Sequence, residues 1–141
     1  MTPSTGRRAA ITLLAWCLAA PLAGPAAAQS VELGRTEYLS ACAGCHGRDA
    51  RGDGPLADLM KITTPDLTAL TQSNDGAFPF DTLLQVIDGR MDLGAHGGDM
   101  PIWGTRYTAQ ALREGASIED AVLMTQGRLL ALVSYLNTIQ Q

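Results

Sequence analysis

Cys42-Ala43-Gly44-Cys45-His46 places two thiols three residues apart, with an imidazole directly after the second. Cys-x-x-Cys-His is the spacing of a c-type haem attachment site. Two such cysteines can each add to a vinyl group on one edge of a porphyrin. The short spacer then leaves His46 under the ring, with one nitrogen in reach of the iron. Other readings fit less well. Zinc wants four ligands, but the chain offers Cys42, Cys45, His46 and a distant His96, and His46 adjoins Cys45 too closely for finger spacing. A thioredoxin-like thiol pair needs a strand ahead of it, and the residues before Cys42 read as helix.

The N-terminus agrees with haem, which is attached in this way on the far side of a membrane. Met1 to Ala28 reads as a cleavable export signal: Arg7 and Arg8, an apolar stretch from Ala9, then Ala26-Ala27-Ala28 before Gln29. Cleavage is expected after Ala28, and the periplasm is the expected location. Pro21 and Pro25 break the apolar run, whereas a permanent span needs about 20 mostly apolar residues, so stable membrane insertion is not expected. The residues after Arg7-Arg8 lack a fuller twin-arginine signature, and Trp16 is too bulky to precede a lipidated Cys17.

Removing 28 of the 141 residues leaves 113, residues 29–141, enough for one small domain. Losing Arg7 and Arg8 takes Lys+Arg from 10 to 8 against 14 Asp+Glu, so the formal charge moves from −4 to −6. Lys61 is the sole lysine, which argues against nucleic acid or anionic lipid as partner. On net charge, docking partners are expected to present a basic surface. Both cysteines of the mature chain are committed to haem, so covalent haem must supply much of the core.

Val31 to Cys42 carries apolar or small residues at helical steps. Gly47 to Gly54 reads as a loop and Pro55 to Met60 as a short helix. Thr64 and Pro65 look like the N-cap and first residue of another helix. Pro79 to Gly89 reads as an amphipathic helix closed by glycine, followed by a glycine-rich loop from Arg90 to Gly104. Tyr107 to Gly115 carries no clear pattern. Ser117 with Asp120 resembles a capping box opening the longest helix, which Gly127 bends or divides. No long period-two alternation appears, so the expected fold class is all-α.

A haem iron held by His46 has a second axial position, and the candidates are Met60, Met91, His96, Met100 and Met124. Met100 is preferred, because nearby glycines let the backbone approach the ring and Pro101 stiffens the loop. Thioether sulfur suits a soft low-spin iron. Met60 and Met124 fall on apolar faces and read as core filling. His96, four residues from Met100, stays open as the rival, with Met91 behind it.

With these residues placed, the chain resembles a class I c-type cytochrome of the bacterial periplasm over most of residues 31 to 139. In that family a glycine and an aromatic before the first haem cysteine pack on a leucine and an aromatic of the last helix. Here those are Gly34, Tyr38, Leu132 and Tyr135. The resemblance implies crossing N- and C-terminal helices, with short helices and loops wrapped around one covalent haem c. Gly54-Pro55-Leu56 is similar to the turn whose carbonyl accepts a hydrogen bond from the axial histidine. Met100-Pro101-Ile102-Trp103-Gly104 is similar to the methionine loop, which makes Trp103 a candidate donor to a haem propionate. Residues from Phe78 to Ile87 and the last helix are expected to wall the pocket. The lysine ring of mitochondrial members is missing, and residues 61–95 match no pattern.

The implied function is one-electron transport without bond making, so the chain is not expected to be an enzyme. A haem subunit of a dehydrogenase or oxidase complex is the alternative, and a ligand-binding haem sensor or enzyme a more distant one.

Overall fold

The last helix collects the rest of the molecule. The computed structural model describes residues 24–61, 63–91 and 100–141, with backbone alone for 24–27. It contains α1 (Gly24–Ala41), α2 (Ala43–His46), α3 (Phe80–Asp88), α4 (Trp103–Arg113) and α5 (Ile118–Thr138). Three 3-10 turns, Ala57–Leu59, Leu67–Ala69 and Gln72–Asn74, punctuate the connection from α2 to α3. Among the described residues there is no strand, and no helix is long and apolar enough to cross a membrane. The cleavage point expected after Ala28 falls within α1, and the leader residues before Gly24 lie outside the described residues.

α5 buries Leu129, Leu132, Val133 and Leu136, a three- and four-residue stripe that faces α1, α3 and α4. Its start is set by Ser117, whose Oγ accepts from the Asp120 N–H at 3.1 Å and donates to Asp120 Oδ2 at 2.8 Å. The helix runs unbroken through Gly127, which neither divides it nor meets any neighbour.

The α1–α5 crossing is built as the resemblance implies. A Cβ on Gly34 would lie 1.9 Å from the Ala131 carbonyl oxygen and 2.8 Å from Tyr135 Cβ, so glycine alone permits this approach. One turn on, Tyr38 is fully buried beside Leu132, with its ring 5.5 Å from that of Tyr135. Glu37 is also buried at this crossing. Arg128 of α5 donates to its two carboxylate oxygens at 2.7 and 2.8 Å while its guanidinium lies 3.7 Å over the Tyr107 ring.

α4 is a helix where no pattern was expected. Trp103, Tyr107 and Ala111 recur every four residues on its inner face, and Gly104 packs so close to Asp88 that a Cβ would strike that residue's backbone oxygen at 2.8 Å. Its N-cap, Ile102, makes no side-chain hydrogen bond, so the usual start signal is missing. The Phe80–Asp88 helix does end on Gly89, in the left-handed conformation at φ 83°.

Candidate functional site

The haem-motif helix is only one turn long, and its carbonyls cannot be satisfied within it. The following loop satisfies them. The N–H of Leu56 donates to Gly44 O at 2.8 Å, that of Gly54 to Cys45 O at 3.0 Å, and that of Gly52 to His46 O at 2.9 Å. Tyr38 Oη donates to Gly47 O at 2.6 Å. Burial raises the Tyr38 pKa, so this hydroxyl keeps its proton and remains a donor. A Cβ on Gly54 would fall 2.5 Å from Gly44 O and 2.6 Å from Cys45 O. The 47–56 loop therefore clamps Cys42–His46 from behind and leaves its other side open.

That other side faces a cavity of about 500 Å³, part of it open to solvent. Cys42, Cys45, His46 and Met100 all line it. Pro101 and Trp103 extend the Met100 wall, and Ala41, Thr64, Pro65 and Met60 complete the enclosure. Two thiols, an imidazole and a thioether on one largely apolar surface are the donor chemistry a c-type haem requires, so the residues present fit that group. Among the described residues no group of three or more His, Cys, Asp or Glu is arranged to hold a metal ion by itself. His96 lies outside the described residues.

His46 is buried, and its Nδ1 faces the carbonyl oxygen of Pro65 at 3.3 Å. A carbonyl can only accept, so Nδ1 is the donor in this contact, and in the neutral ring the lone pair then sits on Nε2. The carbonyl expected from the Gly54-Pro55-Leu56 turn is thus supplied by Pro65. Pro55 is exposed and does not line the cavity, because its turn is spent capping Gly44 and Cys45 from the opposite side.

The approach of Pro65 is itself built. Gly52, at φ 81°, leaves no room for a Cβ, which would lie 2.3 Å from Thr64 O. Leu67 N–H donates to Ala50 O at 2.7 Å, and Gln141 N–H to Thr68 O at 3.0 Å. Residues 64–66 are not helical, and the N-cap of the following 3-10 turn is Asp66, itself extended, which accepts from Thr68 N at 2.8 Å and Thr68 Oγ1 at 2.6 Å. Those bonds hold the Asp66 carboxyl below its ordinary pKa. Thr64 is therefore not the cap and Pro65 not a first helical residue, since a helix there would turn the Pro65 carbonyl away from His46.

Two further expectations are corrected. Met60 faces the cavity, while Met124 is 47 % exposed on α5, so neither is core filler. Phe78, Phe80, Leu83 and Leu84 do not wall the cavity but pack on the buried cluster of α1 and α5. Trp103 lies in the wall, 5.6 Å from the Tyr107 ring and with the Arg106 guanidinium 5.5 Å from its own. Cys42 is buried, and its thiol is pushed up to about 12 by burial first and by the Glu37 carboxylate second.

The family model for cytochrome c matches residues 31–140, and the chain belongs to the cytochrome c family. Its cofactor is covalent haem c with iron, and haem-based electron transfer is the activity that this family defines. No curated protein and no solved structure gives a significant match to the chain.

Proposed function

We propose that the protein is a periplasmic one-electron carrier, cut after Ala28, in which Cys42 and Cys45 attach haem and His46 and Met100 are its axial ligands. The observation that carries this reading is the meeting of two thiols, an imidazole of fixed tautomer and a thioether on one cavity of a cytochrome c chain. Haem iron supplies a one-electron couple that needs no bond to a substrate.

The chain's own part is positional. Each cysteine adds its S–H across one vinyl double bond, sulfur to one carbon and hydrogen to its neighbour, with no net oxidation. A buried thiol held protonated is a poor nucleophile, so Cys42 reacts before the domain closes over it. Pro65 orients His46 and strengthens it as a donor. Met100 offers a soft sulfur that favours the ferrous state and raises the reduction potential. Trp103, in the cavity wall, would donate its indole N–H to a propionate.

The test is ligand exclusion. The reduced wild type is expected to be low-spin and to refuse carbon monoxide. Met100→Ala is expected to lower the potential and open the iron, and Met60→Ala to leave the iron closed to carbon monoxide. Unaltered exclusion in Met100→Ala would defeat the Met100 assignment. Carbon monoxide binding by the wild type would favour a sensor or enzyme.

A further inference from the structure

Outside the haem cavity, the feature with most chemistry is a solvent-open groove between the end of α1 and the outer face of α4. Arg106, Gln110 and Arg113 stand along one side of α4, seven residues bringing the two arginines onto the same face. Arg128 forms the floor, but its charge is taken by Glu37. Neither Arg106 nor Arg113 has a carboxylate partner among the described residues. No Asp or Glu lines the groove; Glu114, the C-cap of α4, accepts from Gln110 Nε2 at 2.9 Å and adds its field to that of Glu37 on Arg128. Among the described residues the other exposed carboxylates lie on other segments.

This groove adjoins the haem cavity. Ala41 and Trp103 line both, and Arg106 rests on the Trp103 ring. A positive patch thus sits one side chain from the cofactor wall in a chain whose formal charge is −4. At about 0.1 M salt the screening length is about 10 Å, so an approaching partner feels the local patch rather than the net charge.

We propose that Arg106 and Arg113 make the α1–α4 groove the docking site for an acidic face of the redox partner. This rests on the haem site proposed above, and it reverses the partner charge expected from net charge alone. The arginines steer and orient the encounter and take no part in electron transfer itself.

Small oxidants of known charge test the sign. The reduced holoprotein gives one electron to hexacyanoferrate(III), forming hexacyanoferrate(II), or to a cationic cobalt(III) chelate, forming cobalt(II). Above about 0.1 M ionic strength, the rate with the anion is expected to fall as salt rises, and the rate with the cation to rise. Arg106→Glu with Arg113→Glu should slow the anionic reaction by about tenfold, and the milder Arg106→Gln with Arg113→Gln by less. Arg35→Glu with Arg90→Glu changes net charge equally but lines neither the groove nor the haem cavity. It should have little effect. Equal slowing by both charge reversals, or an anionic rate that rises with salt, would overturn the inference while leaving the haem site standing. A colourless protein would overturn both.

Discussion

The imidazole of His46 and the carbonyl of Pro65, nineteen residues apart in the chain, face each other across 3.3 Å. This contact fixes the tautomer of the residue proposed to bind iron, and it comes from a segment held by Gly52, Ala50 and the C-terminal Gln141. The His46 side of the site is therefore braced by the loop after the haem motif and by Gln141.

Pro65→Ala frees the backbone at this contact and weakens the hydrogen bond, making His46 a poorer donor to ferric iron. The reduction potential is expected to rise by some tens of millivolts, about 59 mV being a tenfold change in a one-electron couple. Pro55→Ala should leave it unchanged. Spectroelectrochemical titration of both variants checks this, and the opposite pattern would restore the Pro55 turn as the partner.

Glycine substitutions should split by sign. Gly34→Ala and Gly54→Ala drive a methyl into backbone oxygens at 1.9 and 2.5 Å and should destabilise by about 1–3 kcal/mol or more. Gly127→Ala meets nothing within 4 Å and should stabilise by about 0.5–1 kcal/mol through helix propensity. Thermal melts of the three holoproteins read the difference.

Glu37→Gln leaves Arg128 charged, half-buried and without its bidentate partner, and is expected to cost about 3 kcal/mol. The Tyr107 hydroxyl, by contrast, is buried with no hydrogen-bond partner among the described residues. Tyr107→Phe keeps the ring under Arg128 and should be neutral or stabilising by about 1 kcal/mol. Denaturant unfolding followed at the haem band separates the two.

Asp66 is held below its ordinary pKa by Thr68, so its cap contributes stability above the unfolded carboxylate pKa and loses it as pH falls through the folded one. Asp66→Asn should flatten that acid limb. Unfolding curves of wild type and variant should converge at the acid end and diverge towards neutral pH.

Much of this architecture was readable from side chains. Gly34, Tyr38 and Tyr135 point to a close helix crossing through the family resemblance, and the structure shows why: a missing Cβ admits the neighbouring backbone and two tilted rings fill the crossing. Ser117 and Gly89 announce helix ends through hydrogen-bonding and backbone preferences of their own. Pro65 was not readable, because its contribution is a backbone carbonyl, which every residue owns, and tertiary contacts alone aim it. Helix α4 escaped for a related reason: Ile102 caps nothing, and Gly104 and Thr105 disfavour helix until Asp88 packs against the glycine. The four-residue recurrence of Trp103, Tyr107 and Ala111 was the signal that could have found it. Likewise, the charge count described the whole chain, whereas the proposed docking rests on where Arg106 and Arg113 stand.

The most direct measurement is an optical spectrum of the protein purified from a host equipped for cytochrome maturation, before and after denaturation and acidic organic extraction. A low-spin spectrum whose chromophore stays with the polypeptide is expected, and the Cys42→Ala, Cys45→Ala variant should lose it. Colourless protein, or a chromophore that partitions freely into the solvent, would contradict covalent attachment at the cavity.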